Sequence, residues 1–327
     1  MKTHVWSSQN LYFFVIILIS SVANQLHGLS VKILSEKDLN NFLVTEEYVT
    51  HTGTDAFIRK VSDGNTIYIL KQINNPSIDE QFLLINDCIA STIGWAAGIH
   101  VNQVFFIPYN VGCHLKTYPD RAATLHAYIL GNDLESNFPK FFPADFTLHQ
   151  RIINLNSLWQ KKYPLAENQQ SLSKSLIESM AFHEDLPALV ALDTFIGNAD
   201  RGLPNIFYHQ HNNCFYGIDQ AAAFSRTLSL CAFEQLRKLA SEDYFDNCVP
   251  KVIDSLGIYH GILLRLYEVT QPSIIIQSMH ELTAYLDVNA LQSTEIIARM
   301  RHHSFIIEQN YRYSLKLITL LDQILSN

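Results

Sequence analysis

The amino-acid sequence predicts an α+β fold of two lobes, a small β-rich lobe followed by a larger, mainly helical one. Two strand-forming segments around a polar turn occupy residues 56–73, and apolar residues at helical spacing dominate the chain beyond residue 148. Proline and glycine residues cluster between positions 119 and 145, where a boundary between lobes is expected. The 327 residues suffice for one large or two small hydrophobic cores. We therefore predict a first lobe over residues 29–130 and a second lobe over residues 131–327.

The chain begins with a segment typical of an export signal. Leu11–Ala23 is an apolar run, Lys2 precedes it, and Ser21-Val22-Ala23 fits the small-x-small cleavage pattern. The run is shorter than the roughly twenty residues that a membrane span requires. We expect residues 1–28 to be a signal peptide that directs secretion. A retained membrane anchor, with residues 11–23 in contact with lipid, and a buried first strand are the alternatives.

The composition limits the classes of partner and cofactor. A formal net charge of −8 argues against a nucleic-acid partner, because proteins that bind nucleic acids carry basic surfaces. The cysteines are scattered and form no Cys-x-x-Cys pair, which indicates neither a disulfide framework nor a structural zinc site. His209, His211 and Cys214 fall in a polar turn between two strands. We expect a solvated hairpin tip there and not a metal site.

The first elements of the N-terminal lobe follow from cap and turn signals. Val31–Leu34 is expected to form a strand, and a short helix is capped at Ser35. The strands Ala56–Val61 and Thr66–Ile73 flank the turn Asp63-Gly64-Asn65, which predicts a β-hairpin.

Lys71 lies alone among apolar residues of the second strand of this hairpin. An unpaired buried lysine is costly, so the side chain either reaches the edge of the sheet or neutralises an anion. The helix that follows begins at Ser77, carries an apolar stripe and ends at Gly94. Glu80 and Asp87 lie together on another face of this helix.

The remaining elements are predicted by periodicity. Further strands of the first lobe, the last of which connects the two lobes, are Ile99–Ile107, Cys113–Thr117 and Thr124–Leu130. In the second lobe the predicted strands are Asn205–Tyr208 and Cys214–Ile218. Its predicted helices are Leu148–Lys161, Leu172–Phe182, Leu186–Ile196, Leu230–Ala240, Val252–Tyr267, Ser278–Leu286, Thr294–Arg301 and Ile306–Leu325.

The stretch Asp193–Phe224 carries the most informative oxygen side chains of the sequence. A helix ends at Gly197, Asp200 follows on a loop, Asn205 begins a strand, and Asp219 closes a second strand. Phosphoryl transfer requires a carboxylate that orients the attacking hydroxyl, with an amide and a second carboxylate that bind a metal ion. A helix C-cap followed by an ordinary acidic turn would contain the same residue types, and this alternative stays open.

At these residues the sequence resembles the HipA-like kinases and, more distantly, the phosphatidylinositol 3- and 4-kinases. Their signature, Gly-Asn-x-Asp-Arg-x-x-x-Asn followed by Ile-Asp, is matched by Gly197–Arg201, Asn205 and Ile218-Asp219. The resemblance covers residues 50–225 and fades beyond them. It implies a bilobal, protein-kinase-like fold that binds ATP and Mg²⁺ in the cleft between the lobes.

The resemblance also implies roles for individual residues. Asp200 would orient or deprotonate the acceptor hydroxyl, and Arg201 would stabilise the loop or a phosphate. Asn205 and Asp219 are the implied Mg²⁺ ligands. Lys71 is the implied contact to the nucleotide phosphates.

Three further positions are implied near the nucleotide. Asp87 aligns with the acidic residue that holds the lysine in these kinases, with Glu80 as the reserve. Aspartate is one methylene shorter than the glutamate usual in the family, so the ion pair needs a closer backbone or a water bridge. Gly53-Thr54 lies where a loop would cover the phosphates, although the segment is not glycine-rich.

The resemblance implies a kinase that transfers the γ-phosphoryl group of ATP to a hydroxyl acceptor, a serine or threonine of a protein. An export signal would send this enzyme where ATP is scarce, unless it is delivered into an ATP-rich host cell. A lipid kinase is one alternative. An exported pseudokinase that acts as a binding or scaffold module is another, and the unusual Gly202, Gln220 and Asp87 leave room for reduced activity.

Overall fold

The structure is a computed structural model that describes residues 29–48, 56–73, 77–133, 183–198, 200–201, 205–209, 212, 214–227, 249–286 and 293–326. The predicted signal segment, Gly53-Thr54, Gly202 and the helices predicted at 148–161, 172–182 and 230–240 lie outside these residues. Where it is described, the chain has a mixed fold of antiparallel sheets and helices, as the sequence predicts.

The strands form two antiparallel sheets. In chain order they are β1 (Leu43–Tyr48), β2 (Ala56–Ser62), β3 (Ile67–Ile73), β4 (Val104–Ile107), β5 (Ala123–Ala127), β6 (Asn132–Asp133), β7 (Ile206–His209) and β8 (Cys214–Gly217). One sheet has the order β1-β2-β3-β5-β4, and the other has the order β6-β7-β8. Every neighbouring pair in both sheets is antiparallel.

The helices surround these sheets. They are α1 (Glu36–Leu39), α2 (Ile78–Ala96), α3 (Asp185–Ile196), α4 (Val249–Val269), α5 (Pro272–Thr283) and α6 (Ser293–Leu325). None of these helices, within the described part of the chain, is both long and apolar enough to cross a lipid bilayer.

The predicted β2–β3 hairpin is confirmed. Its turn is closed by Asp63, whose Oδ1 accepts hydrogen bonds from the backbone N of Asn65 at 2.9 Å and of Thr66 at 2.7 Å. Because β3 lies between β2 and β5, Lys71 faces Thr124 of β5 across an inner strand pair. Lys71 is therefore not an edge residue, which leaves neutralisation of an anion as the reason for its position.

The structure corrects several predicted elements. Cys113–Thr117 is not a strand: Cys113–Leu115 form a 3-10 helix, because the flanking residues Gly112 and Lys116 both adopt left-handed backbone conformations. Of the predicted strand Ile99–Ile107, Val104–Ile107 form a strand and Val101 contributes an isolated bridge to Gly217. Within Val31–Leu34, Ile33 contributes another isolated bridge, to Phe106. The edge strand β1 was not predicted, since its two consecutive glutamates break the apolar alternation.

Helix α6 runs without interruption through the position where the sequence predicts a break. The predicted helices Thr294–Arg301 and Ile306–Leu325 are parts of one helix. The polar His302-His303 pair between them does not end the helix, because His303 is buried with its ring centroid 5.1 Å from that of Phe82 in α2.

Helix α2 connects the larger sheet to the C-terminal helices. It begins where Ser77 accepts a hydrogen bond from the backbone N of Glu80 at 3.4 Å, and it continues two residues past Gly94. Gly94 serves close packing instead of helix termination, because a Cβ atom there would approach Cγ2 of Val101 to 2.8 Å. The helix packs against β4 and β5 and against α5 and α6.

The hydrophobic core has two parts. The larger cluster joins buried side chains of α2 and β4 with those of α3, β7, β8 and the C-terminal helices, whereas the smaller one lies among β2, β3, β5 and the segment before β1. Since α2 and α3 share the larger cluster, the hairpin β7–β8 that follows α3 is held at a fixed position relative to the five-stranded sheet.

A first prediction concerns Gly197, which ends α3 with φ of 65° and donates its backbone N–H to the carbonyl of Asp193. A Cβ atom at this position would collide with the carbonyl of Arg226 and the carboxamide of Asn310, and the left-handed backbone adds about 1 kcal/mol. We expect Gly197→Ala to lower the free energy of unfolding by about 2–4 kcal/mol, measured by urea denaturation.

Gly257, inside α4, is the matched control for this substitution. Among the described residues, no atom outside the local helix backbone lies within 4 Å of a Cβ there, and alanine is the better helix former. Gly257→Ala should raise the free energy of unfolding by up to about 1 kcal/mol. Equal effects of the two substitutions would show that the C-cap geometry of Gly197 is unimportant.

Candidate active site

The order of helix, loop and hairpin brings the predicted oxygen side chains to one place. Helix α3 ends at Gly197, Asp200 lies on the loop, and Asn205 immediately precedes β7. Asp219 follows β8 by two residues and adopts a positive φ of 53°, which is uncommon for a residue with a side chain. A backbone held in this sparsely populated region is typical of functional sites, where the surrounding contacts enforce it.

The hairpin is held by the guanidinium group of Arg201, which is almost completely buried. Nε and Nη2 donate to the two carboxylate oxygens of Asp193 in α3, each at 3.1 Å. Nη1 donates to the backbone carbonyls of Asn205 at 3.0 Å and Ile218 at 2.5 Å, and Nη2 also donates to the side-chain oxygen of Gln220. The planar fork of arginine suits this arrangement, which ties α3 to both strands of the hairpin.

This geometry decides between the two roles that the sequence allows for Arg201. Its donors are directed at protein acceptors on the inner side of the hairpin, so contact with a phosphate is disfavoured and stabilisation of the loop is favoured. The side chain of Asp193 binds the Arg201 guanidinium and the amide of Asn198, the latter at 3.1 Å.

Lys71 reaches from the centre of the larger sheet to the end of the hairpin. Its Nζ lies 2.8 Å from Oδ1 of Asp219, and both side chains are largely or partly shielded from solvent. Burial alone would lower the pKa of Lys71, but the carboxylates of Asp219 and Asp87 outweigh it and raise that pKa. Burial alone would raise the pKa of Asp219, but the charge and hydrogen bond of Lys71 lower it. The two groups therefore form a charged pair at neutral pH.

Asp87 does not form the predicted ion pair with Lys71. It is completely buried in α2, and its Oδ1 accepts a hydrogen bond from the backbone N of Gln220 at 2.9 Å. The neighbouring Asn86 donates to the carbonyl of Ala221 at 3.3 Å, so consecutive residues of α2 bind the segment that follows Asp219. One oxygen of Asp87 is thus held by the backbone of Gln220, while Lys71 pairs with Asp219. Glu80, the reserve candidate, lies in the first turn of α2 and makes no described contact with Lys71.

Asp87 is nevertheless part of the same electrostatic cluster. Burial raises its pKa to about 7, an effect that the charge of Asp219 reinforces and the charge of Lys71 opposes. Two aspartates near one lysine thus have pKa values pushed in opposite directions, with Asp219 ionised and Asp87 titrating near neutrality. Such separation of neighbouring carboxyl pKa values is a mark of functional sites.

Asp200 and Asn205 face each other across the start of the hairpin. Nδ2 of Asn205 donates to the backbone carbonyl of Asp200 at 2.9 Å, and the backbone N of Asp200 donates to Oδ1 of Asn198 at 3.1 Å. The carboxyl group of Asp200 is exposed, and partial burial together with the charge of Asp219 raises its pKa. A carboxylate with a raised pKa that solvent can reach is suited to accept a proton from an incoming hydroxyl.

A buried polar group beside Lys71 was not predicted from the sequence. His126 of β5 lies with Nε2 2.8 Å from Oγ1 of Thr124 and 3.7 Å from Oδ2 of Asp87, while its Nδ1 lies 3.0 Å from the amide of Asn102. Burial and the charge of Lys71 lower the pKa of His126 to about 3, so this imidazole is neutral. The alternation of side chains along β5 was the available signal, because it places His126 and Thr124 on the same face of that strand.

The donor set at the end of the hairpin fits a hard divalent cation such as Mg²⁺. The charge of Asp219 raises the pKa of Asp200, so the negative charges of the two carboxylates repel each other, as expected where a cation is to be bound. The side chain of Asn205 uses its nitrogen for Asp200, which leaves its oxygen for another partner. Carboxylate and amide oxygens are the ligands that Mg²⁺ prefers.

A second prediction tests the Arg201 clamp. Arg201→Met leaves the buried carboxylate of Asp193 and two backbone carbonyls without their donor, so we expect the free energy of unfolding to fall by about 3–5 kcal/mol. Arg299→Met is the control, since Arg299 pairs with the largely exposed Asp79 and should lose less than about 1 kcal/mol. Urea denaturation measures the free energy of unfolding of both variants. A similar, small decrease in the two would show that the hydrogen bonds of Arg201 do not hold the hairpin.

A third prediction concerns the pH dependence caused by Asp87. Between its ordinary pKa of 3.8 and about 7, the native protein keeps a proton that the unfolded chain has lost, so stability contributed by this group falls as pH rises. Asp87→Asn keeps an oxygen for Gln220 and removes the titration. As pH rises through this window, the unfolding free energy of Asp87→Asn should increase relative to that of the wild type by up to about 1.4 kcal/mol per pH unit.

Asp120→Asn is the matched control for that experiment. Asp120 is a surface carboxyl group whose pKa is lowered by hydrogen bonding to Arg121, so it remains ionised throughout the window. Its effect on stability should not change between about pH 5 and pH 7. A pH-independent effect of Asp87→Asn would show that Asp87 is ionised in the native protein at all these pH values.

Comparison with solved structures gives a distant likeness. No family model and no curated relative matches the sequence. Among solved structures, the chain is similar to the crystal structure of the Helicobacter pylori proinflammatory kinase CtkA, with 12% sequence identity and a TM-score of 0.44. The matched region covers 87% of this chain and 95% of that chain. A functional assignment for this protein therefore depends on its own contacts.

Proposed function

We propose that this protein is an ATP- and Mg²⁺-dependent kinase of the HipA-like type, which transfers the γ-phosphoryl group to a serine or threonine hydroxyl of a protein. The observation that carries the proposal is the 2.8 Å ion pair between Lys71 of β3 and Asp219 at the end of the hairpin. It brings the implied phosphate-binding lysine and the implied metal-binding carboxylate together from positions 148 residues apart. An acidic turn without function has no need of this long-range pairing.

The proposed roles follow from the chemistry of each group. Lys71 is a buried, charged ammonium that would bind phosphate oxygens. Asp219 and the side-chain oxygen of Asn205 would hold Mg²⁺, which when bound neutralises charge on the nucleotide phosphates. Asp200, whose pKa is raised and whose carboxyl group is exposed, would orient the acceptor hydroxyl and take up its proton.

Asp87, Arg201 and Asp193 support these groups without touching the substrate. Asp87 holds the backbone of Gln220 next to Asp219, and Arg201 fastens the hairpin to Asp193 of α3. In the proposed assignment, Asp87 of α2 therefore positions Asp219 through the backbone of Gln220 and does not position Lys71.

The proposal includes the organisation and destination expected from the sequence. Residues 29–130 would form the nucleotide-binding lobe and residues 131–327 the catalytic lobe of a bilobal, protein-kinase-like fold. Residues 1–28 would direct export, and an enzyme delivered into an ATP-rich host cell would find its cosubstrate there. Detection of the protein only in the cytosol of the producing cell would contradict this destination.

One observation favours a second candidate, a pseudokinase that binds partners without turnover. Lys71 is neutralised by Asp219 and is not paired with Asp87, so the two groups that would bind nucleotide and metal are engaged with each other. A protein in which this pair never opens would keep the fold and lose phosphoryl transfer.

The deciding experiment, and our fourth prediction, measures ATP binding by calorimetry with and without Mg²⁺. We expect the wild-type chain to bind ATP with Mg²⁺ and Asp219→Asn to lose the Mg²⁺-dependent part. Asp200→Asn should keep binding but lower transfer of labelled phosphate to casein, a general acceptor, by at least about 100-fold. Asp120→Asn, a surface carboxylate away from the hairpin, should match the wild type in both assays.

The outcomes separate the two candidates. Binding with transfer supports the kinase. Binding without transfer to casein or to the chain itself supports the pseudokinase. If the wild type binds no ATP under either condition, the kinase proposal is wrong, and the result supports a kinase-like fold that binds protein partners and in which the Lys71–Asp219 pair never opens.

A further inference from the structure

A second cluster of reactive side chains lies at the beginning of β8, at the other end of this strand from Asp219. It contains His100 from the segment after α2, Asp185 from the start of α3, and Cys214, the first residue of β8. One nitrogen, one carboxylate oxygen and one sulfur of these residues all lie within 4.8 Å of one another. The three residues come from distant parts of the sequence, so no local spacing motif predicts a site formed by them.

The cluster is held in place by the backbone of β8. The N–H of Gly217 donates to the carbonyl of His100 at 2.9 Å, and the ring of His100 stacks on Tyr216 with centroids 5.1 Å apart. The N–H of Phe215 donates to Oδ2 of Asp185 at 2.8 Å, which directs the other oxygen, Oδ1, towards His100. Backbone contacts of β8 thus hold His100 and Asp185 in place, whereas the thiol of Cys214 donates to the backbone carbonyl of Asn212 at 3.1 Å, a bond that the thiolate would give up on binding a metal ion.

The atoms of His100 and Asp185 converge without satisfying each other. Nδ1 of His100 is shielded from solvent and lies 2.8 Å from Oδ1 of Asp185, yet the pair lacks the direction of a hydrogen bond, and Nδ1 has no other partner in the described residues. A buried ring nitrogen normally forms a hydrogen bond or binds a metal ion. A shielded ring nitrogen that lies beside a carboxylate oxygen and a thiol without forming a hydrogen bond favours the metal ion.

We propose that His100, Asp185 and Cys214 bind a zinc ion that fastens the catalytic hairpin to α3 and to the segment after α2. Imidazole nitrogen, carboxylate oxygen and thiolate sulfur are all ligands that Zn²⁺ accepts in tetrahedral sites, and a water molecule completes a set of three protein ligands. The metal binds the thiolate form, so each zinc ion bound releases the proton of the Cys214 thiol. This site is separate from the Mg²⁺ site of the proposed kinase and does not depend on it.

His183 lies next to the cluster but is engaged differently. Its Nδ1 lies 3.3 Å from Oδ2 of Asp185 and accepts a hydrogen bond from the backbone N of the same residue, also at 3.3 Å. Its ring lies edge-on to Phe215, with centroids 4.8 Å apart. These contacts place His183 as a neighbour that supports Asp185.

The test, our fifth prediction, uses cobalt as a spectroscopic probe for the zinc site. The full chain is freed of metal with a chelator and titrated with Co²⁺, and Zn²⁺ is then added. We expect one equivalent of Co²⁺ to produce the thiolate-to-cobalt charge-transfer absorption, and Zn²⁺ to remove it and raise Tm. Cys214→Ser should abolish the band, and both Cys214→Ser and His100→Asn should weaken binding by at least about tenfold, the loss that even outer contacts of metal sites cause.

Matched variants show whether the signal comes from this cluster. Cys113→Ser and His114→Ala change an exposed thiol and an imidazole that are not part of it and should leave band and affinity unchanged. Asp219→Asn should also keep the band, which separates this site from the proposed Mg²⁺ site. Far-ultraviolet circular dichroism confirms that each variant is folded. If Cys214→Ser does not fold, the His100→Asn variant provides the test of the site. No thiolate band in the wild type, or a band that survives in the folded Cys214 or His100 variant, would overturn the proposal.

Discussion

The buried guanidinium of Arg201 must find acceptors for all of its donors in an interior that offers no bulk water, and the hairpin is built around this requirement. Removing a charge from water is costly unless it is paired and fully hydrogen-bonded. Asp193 supplies the opposite charge, while Asn205, Ile218 and Gln220 supply the remaining oxygens. Because these acceptors belong to α3, to the start of β7 and to the residues on either side of Asp219, one side chain fixes the positions of the proposed functional groups on the hairpin.

A second charged network begins where the first one ends. Gln220 accepts from Arg201 by its side chain and donates to Asp87 by its backbone, so α2 is connected to the hairpin at the residue next to Asp219. Asp219 in turn is bound to Lys71 of the larger sheet. The different surroundings of Asp87 and Asp219 move their pKa values in opposite directions, and the pair carries less negative charge near neutrality than two ordinary aspartates would.

Local signals in the sequence were sufficient for several turns and helix ends, though not for Cys113–Leu115, whose 3-10 helix was predicted as a strand. Asp63-Gly64-Asn65 predicted the β2–β3 hairpin, and Gly197 predicted the end of α3, because turn and cap chemistry is decided by neighbouring residues. Signals failed where the partner is distant. The alignment of Asp87 with Lys71 could not reveal that the backbone of Gln220 engages this carboxylate.

The same limit applies to Cys214 and Arg201. In the sequence, the possible ligands near Cys214 are His209 and His211. His100 and Asp185 belong to other elements and lie close to Cys214 only in the folded chain. The burial of Arg201 could not be predicted from the sequence either. Its charge suggests a surface position, and its acceptors are spread over α3 and both ends of the hairpin.

The ion pair between Lys71 and Asp219 makes a specific demand on any nucleotide site at this position. Lys71 can turn to a phosphate at less cost when another cation neutralises the carboxylate of Asp219, since a partly buried carboxylate without a partner is unfavourable. A cation at Asp219 and an anion at Lys71 therefore favour each other's binding, and this coupling is reciprocal. Under the proposed function, the ligand-free ion pair keeps Lys71 and Asp219 ionised and next to each other. ATP would then bind together with its metal ion and not before it. If the proposed function holds, loss of metal binding at Asp219 would leave the pair closed, and the fold would then bind partners without phosphoryl transfer.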